Sequence, residues 1–198
     1  MKIIAASIFI ISCTIMSCNS PSDQPAENVE PKINYLEYGK NITAIAQAEL
    51  MKNVKEAMSK GGPVYAIEHC NVHATPLSDS IANEFEVDIQ RLSFKYRNPN
   101  NAPTEKEDKI LLNEYLEKLN EGLTIRDTIL RNLDNFSYYR PILISMETCL
   151  KCHGQPGEEI NTETMLAINK RYPEDRAINF RMGEFRGVWK VSFSEKSE

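Results

Sequence analysis

Residues 136–154 read FSYYRPILISMETCLKCHG, an aromatic and aliphatic run that leads directly into Cys149-Leu150-Lys151-Cys152-His153. The run to residue 145 has the length and composition of a β-strand. Asp134-Asn135 precedes it as a turn signal, so residues 124–133 and 136–145 are predicted to form an antiparallel hairpin. The cysteines and histidine are therefore expected just beyond the end of a sheet strand.

The Cys-x-x-Cys-His pattern is the attachment motif of c-type haem. Cysteines three positions apart lie near one face of a helical turn, so both sulfurs can reach the two vinyl groups on one porphyrin edge. The histidine that follows is then placed to reach the iron. We interpret Cys149 and Cys152 as attachment sites for one covalent haem and His153 as an axial ligand. Gly154 is expected to let the chain turn sharply away from the porphyrin.

Two other interpretations of the motif remain open. A thiol–disulfide oxidoreductase also uses Cys-x-x-Cys, and the preceding strand could lead into its redox turn. Against it, the pair lies late in the chain and no βαβ pattern surrounds it. A zinc site normally needs four Cys or His ligands. The chain has only three histidines and one spare cysteine, Cys70, and two of the histidines, His69 and His73, flank that cysteine.

The candidates for a second axial ligand are Cys70, His69, His73 and several methionines. After a helix that is predicted to end at Gly61-Gly62-Pro63, apolar residues recur every three or four positions through residue 81. This stripe indicates a helical face with Cys70 near its centre, and Pro76 could kink it. Periodicity alone favours Cys70 as a small buried residue, and both histidines as surface or core-edge residues. Met146 is interpreted as a local packing residue.

The N-terminus predicts export and lipid anchoring. Lys2 precedes a mostly apolar stretch, residues 3–16, that is too short to span a bilayer comfortably. It leads into Ser17-Cys18, which is similar to a bacterial lipobox, so residues 1–17 are predicted to be a lipoprotein signal peptide and Cys18 its lipidated residue. An ordinary signal peptide is the alternative, and Cys13 is a second possible site. Residues 18–32 are polar with three prolines and are predicted to be a flexible tether before a domain at 33–198.

Composition excludes some partners. The 198 residues carry 23 basic and 28 acidic side chains, a formal net charge of −5, without a Lys/Arg-rich run. Nucleic acid is therefore not an expected partner, and the membrane is expected to be contacted only through the lipid. No nucleophile–base–acid group stands outside the haem motif, so neither catalytic residues nor enzymatic activity are predicted.

The rest of the chain predicts a mixed α+β domain. Helices are expected at 34–60, at 104–121 with a Thr104/Glu107 capping box, and at 162–171. A strand is expected at 90–97, and a final hairpin over 180–193 turning at residues 182–184. Together these elements indicate a small antiparallel sheet with helices on one side.

Several stretches together resemble a known family of c-type haem proteins with a PAS-like fold, long described only as a domain of unknown function. The matching stretches are 66–71 (AIEHCN), 93–103 (SFKYRNPNNAP), 149–154 (CLKCHG), 172–177 (YPEDRA) and 180–191 (FRMGEFRGVWKV). The resemblance covers nearly all of residues 33–193. Because no kinase or methyl-accepting segment follows, it implies the stand-alone, envelope-located type.

The resemblance implies His153 as one axial ligand and Cys70 as the other, while His69 and His73 beside Cys70 leave His/His ligation open. A redox or diatomic-gas sensor is the function expected, with nitric oxide or carbon monoxide as possible ligands and a redox or signalling protein as partner. Simple electron transfer is the nearest competitor. Arg97 or the basic residues near the last hairpin are candidate partners of the haem propionates.

Overall fold

The computed structural model describes residues 33–132 and 135–194. The predicted signal peptide, the tether and both Cys13 and Cys18 lie outside the described residues. The elements in chain order are α1 (Tyr35–Phe85), β1 (Asp88–Leu92), a 3₁₀ turn (Pro99–Asn101), α2 (Lys106–Asn120), β2 (Thr128–Asn132), β3 (Asn135–Leu143), α3 (Glu147–His153), α4 (Thr162–Arg171) and β4 (Phe185–Ser194). None of the helices in these ranges is long and apolar enough to cross a membrane.

The strands form one antiparallel sheet in the order β1-β4-β3-β2. The prediction of an α+β fold built on a small antiparallel sheet with flanking helices is confirmed. The prediction of helices on one side is wrong, because Tyr138 and Tyr139 are adjacent in β3 and point to opposite faces. Tyr138 packs against Ile42 of α1, whereas Tyr139 packs against Leu112 of α2. Each face of the sheet is thus covered by its own helix.

Helix α1 is broken in the middle. It begins at an N-cap, Asn34, whose side chain accepts a hydrogen bond from the Glu37 backbone at 3.3 Å. Gly61 and Gly62 have non-helical backbone angles, and Gly62 has a φ of 67°, a left-handed conformation that glycine adopts without steric cost. The break therefore lies where the sequence predicted a helix end. The second half continues through Pro76, whose backbone angles stay helical.

The central strand β4 was not predicted correctly. Residues 180–193 were expected to form a hairpin, but Phe185–Ser194 is one strand between β1 and β3. The turn does lie at residues 182–184, yet its partner is the chain beyond β3: Ile144 and Gly183 share a hydrogen bond of 2.8 Å, and Ile144 and Glu184 share one of 2.9 Å. A long-range pairing replaces the expected local one.

Two other boundaries differ from the prediction. Strand β1 covers residues 88–92 rather than 90–97. Helix α2 begins after Glu105, without a side-chain cap, so the Thr104/Glu107 capping box is wrong. Glu105 instead pairs with Lys190 of β4 at 2.6 Å, and this contact fixes the start of the helix against the sheet. The β2–β3 hairpin and α4 agree with the prediction.

Candidate functional site

Helix α3 presents the Cys-x-x-Cys-His motif beside the end of β3. Its seven residues include all three motif side chains, so Cys149 and Cys152 lie one helical turn apart. Leu150, between them, is buried in a small apolar cluster with Ile144 and Phe180. This cluster, against which Cys149 also packs, anchors α3 in the protein interior.

Gly154 ends α3 for a reason other than the one predicted. Its φ is −73°, which any residue can adopt. A Cβ atom there would lie 2.7 Å from the Leu150 carbonyl oxygen and 2.8 Å from the Glu159 side chain. Glycine is therefore required by close packing and not by a special backbone conformation.

The His153 ring is half-buried and is oriented by the backbone of residue 177. Its Nδ1 lies 2.7 Å from the Ala177 carbonyl oxygen, and its ring meets Phe180 edge-on with centroids 6.1 Å apart. A carbonyl oxygen can only accept a hydrogen bond, so Nδ1 carries the proton. Burial, assisted by the nearby Arg186 and Arg97 charges, holds the pKa of His153 well below its usual range. The neutral imidazole consequently keeps a lone pair on Nε2, the nitrogen available to a metal.

All three motif residues line a cavity of about 260 Å³. The two halves of α1 supply much of its wall, with Met51, Val54 and Met58 before the break and Ala66, Ile67 and Cys70 after it. The end of β3 and the residue after it add Ile142, Leu143 and Ile144. Much of the cavity wall is thus apolar and comes from segments that are distant in sequence.

Cys70 lines this cavity from the second half of α1. Ile67, one turn earlier, is 4% exposed and packs against Ile160 and Ile168, in a cluster that Cys152 also touches. Burial raises the pKa of the Cys70 thiol, and the guanidinium groups of Arg91 and Arg97 oppose that rise. The structure therefore brings Cys70 to the same cavity as the haem motif.

His69 and His73 are placed differently. Both lie on α1 beside Cys70, and their rings are in contact at a tilt of 38° with centroids 4.3 Å apart, while the His69 ring stacks on Tyr65. Neither histidine lines the cavity. Met51 and Met58 do, from the first half of α1, so they and Cys70 are the sulfur-bearing side chains that α1 offers as a second axial ligand.

Three arginines form a positive end of the cavity: Arg91, Arg97 and Arg186. Desolvation and the neighbouring arginines lower the pKa of Arg186 to about 9, which shows that this site disfavours its charge in the absence of an anion. The Arg97 guanidinium is already paired with Asp175, at 3.1 and 3.3 Å. Arg91 and Arg186, rather than Arg97, are hence the better placed partners for an anionic group in the cavity.

Sequence reasoning missed the roles of Arg91, Asp175 and Ala177, whereas Arg186 belongs to the basic residues near the last predicted hairpin that were candidate partners of the propionates. Asp175 and Ala177 stand in residues 172–177, which carry the family resemblance, but nothing in that stretch indicated their contacts. Nothing in the sequence indicated that Arg91 is part of the site, because it reaches the cavity only through the pairing of β1 with β4.

The donor set fits a covalently bound haem. Two thiols stand three residues apart on one helix, an imidazole nitrogen is free, the cavity walls are apolar, and cationic side chains at one end match the charge of propionates. The alternatives fit less well. The four strands pair only in antiparallel fashion, so no βαβ unit of the kind that carries a thiol–disulfide redox turn surrounds the motif in the described residues. Within residues 33–132 and 135–194, no three Cys, His, Asp or Glu side chains converge as a metal site.

Comparisons with known proteins agree with this arrangement. A search of curated proteins gave no match. A solved structure described as the crystal structure of the cyanobacterial heme-protein Tll0287 matches with a TM-score of 0.61 at 26% identity, covering 84% of this chain and 99% of that one. The model of the Tll0287-like family matches residues 22–194. The chain therefore belongs to the Tll0287-like family, and the family resemblance found in its sequence is confirmed.

Proposed function

We propose that the protein binds one haem c, attached to Cys149 and Cys152, with His153 and Cys70 as axial ligands, and that it senses redox state or a diatomic gas. The observation that carries the proposal is the shared cavity, into which α3 brings the motif and α1 brings Cys70. The heme-protein title of the structural relative supports it. Bound haem would supply a one-electron iron centre that can also take up nitric oxide or carbon monoxide.

Cys70 is the residue that makes a sensor plausible on physical grounds. A thiolate donates charge and stabilises ferric iron more than ferrous iron, so reduction weakens its hold. Cys70 lies in the half of α1 that follows the non-helical backbone of Gly61 and Gly62, so a change at Cys70 would act on that half of the helix first. Release of Cys70 would therefore both free an axial position and alter the second half of α1.

Electron transfer is the second candidate, and the cavity mouth favours it. Leu143 and Met146 line the cavity yet remain 38% and 43% exposed. A haem edge behind these side chains would be close to the surface, as electron exchange with a partner requires. The two functions differ in whether Cys70 leaves the iron on reduction.

The test compares the ferric and ferrous protein. A sensor is expected to bind carbon monoxide when reduced and to show faster amide hydrogen exchange across residues 63–85 than the ferric form, because Cys70 no longer fixes that half-helix. Exchange across α2 (Lys106–Asn120) serves as the internal control. A reduced protein that excludes carbon monoxide and exchanges like the ferric form would contradict the sensor and leave the electron carrier.

The location proposed is the cell envelope, with the domain facing the periplasm and the lipid on Cys18 as its anchor. The motivation is the signal-like residues 1–17 followed by Cys18. Substituting Cys18→Ala should move the protein from the membrane to the soluble envelope fraction and abolish labelling by a radioactive fatty acid, whereas Cys13→Ala should change neither. Unaltered labelling of Cys18→Ala would exclude Cys18 as the lipidated residue.

A further inference from the structure

The Ala177 carbonyl oxygen accepts two hydrogen bonds from different directions. His153 Nδ1 donates to it at 2.7 Å, and Arg97 Nη2 donates to it at 3.3 Å. Ala177 is fully buried, so water does not compete for this oxygen. One backbone atom thus links the proposed iron ligand to an arginine that does not itself ligate.

Arg97 is held in place by contacts on both sides of this carbonyl. Its guanidinium pairs with both carboxylate oxygens of Asp175, and its Nη2 also donates to the Cys152 carbonyl oxygen at 2.6 Å. Asp175 in turn accepts a hydrogen bond from the Ala177 backbone N–H at 3.0 Å. The side chains of Arg97 and Asp175 are only 12% and 3% exposed. The arginine is therefore fixed and poorly screened.

The strength of the His153 hydrogen bond bears on the iron. An imidazole that donates strongly from Nδ1 becomes a more basic ligand through Nε2. A charge-assisted hydrogen bond from a guanidinium draws electron density from the acceptor carbonyl, which makes that oxygen a weaker acceptor for a second donor. Arg97 and His153 therefore compete for the same oxygen.

We propose that Arg97 is a positioning residue that weakens His153 as an electron donor by sharing the Ala177 carbonyl. The inference rests on the proposed ligation of iron by His153 and goes beyond it, since it assigns the control of ligand strength to a residue outside the haem motif. Removing Arg97 should strengthen the His153–carbonyl hydrogen bond, shift the iron–histidine stretching frequency upward and lower the midpoint potential.

A lower midpoint potential alone would not distinguish a stronger His153–carbonyl hydrogen bond from the loss of a positive charge near the iron. The loss of that charge also favours the ferric state. Arg176 provides the matched control. It precedes Ala177 and is also a cation, but its guanidinium lies over the Tyr96 ring, 5.1 Å from the centroid, and it does not line the cavity. Arg176→Gln should thus remove a nearby positive charge without altering the iron–histidine bond.

The experiment is resonance Raman spectroscopy of the ferrous holoprotein in a Cys70→Ala background, where His153 is the proposed iron ligand that remains. Arg97→Gln is expected to raise the iron–histidine frequency and Arg176→Gln to leave it unchanged. Arg97→Lys should also raise the frequency, because lysine keeps the charge but cannot contact Asp175, Cys152 and Ala177 together, and it replaces Arg97→Gln if that variant does not fold. Equal frequencies in the Arg97 variant and its parent, or equal shifts in the Arg176 and Arg97 variants, would overturn the inference. Absence of haem from the wild-type protein would instead refute the proposed function.

Discussion

Replacing both Cys149 and Cys152 with serine is expected to abolish covalent haem attachment completely. A thioether requires sulfur, and a serine hydroxyl does not add to the vinyl groups under the same conditions. Because the fold of α3 depends on Leu150 and on the His153–Ala177 hydrogen bond, neither of which the change removes, the domain should keep its secondary structure. Denaturing gels stained for haem, intact-mass measurement and circular dichroism check the two halves of this prediction.

The control for this prediction is Cys70→Ser. It also removes a thiol that lines the cavity, but it leaves the attachment motif intact. Covalent haem should persist in Cys70→Ser and vanish in the Cys149/Cys152 double variant. Haem that resists denaturation in the double variant would show that attachment does not depend on these residues.

Replacing Cys70 with alanine is expected to change the ferric spectrum and to raise the midpoint potential, while haem stays attached. A thiolate ligand donates charge and stabilises ferric iron, so its loss favours reduction. Axial ligands set haem potentials over roughly 0.8 V, and a rise of about 0.1 V or more is the expected share of that range. Optical redox titration and ferric electron paramagnetic resonance measure both effects.

His73→Ala is the matched control for the Cys70 prediction, because His73 lies three residues further along α1 on the surface, outside the cavity. It should leave the spectrum and potential unchanged. An identical ferric spectrum in wild type and Cys70→Ala would refute the assignment of Cys70. In that case Met51 and Met58, the other sulfur donors that α1 contributes to the wall, become the candidates, and their substitution should shift the spectrum instead.

The elements that sequence predicted well are those governed by local interactions. The β2–β3 hairpin follows from alternating apolar residues around a turn, and α4 follows from its periodicity and from Asn161, whose side chain caps Thr164 at 2.8 Å. The break in α1 follows from paired glycines before a proline. In each case the residues that decide the structure are close together in the chain.

The incorrect predictions concern features that depend on contacts between residues far apart in the chain. Strand β4 was predicted as part of a hairpin because a plausible turn stands at residues 182–184, but Ile144, nearly forty positions earlier, binds that turn. The capping box failed because Glu105 pairs with Lys190, across the sheet. Such pairings depend on strand order, which the local pattern of residues does not encode.

The residues of the candidate site also fall into those that the local sequence predicts and those that it does not. The Cys-x-x-Cys-His motif is local and predicts its own chemistry. Cys70 was identified as a candidate iron ligand only through the family resemblance, because its position on the helix is also compatible with simple burial. The Ala177 carbonyl could not be predicted at all, because a backbone acceptor has no side-chain signature. Arg91 likewise became visible only when β1 and β4 were seen side by side, whereas Arg186 was among the basic residues near the last predicted hairpin.

The most direct test of covalent haem binding is a pyridine haemochrome spectrum of protein produced with cytochrome c maturation machinery and extracted with acidified acetone. If haem is attached through both Cys149 and Cys152, we expect it to stay with the protein and to give a c-type band. Haem that passes into the solvent, or a colourless protein made alongside a normally matured control cytochrome, would contradict it. The colourless outcome would return the Cys-x-x-Cys pair to the thiol–disulfide interpretation.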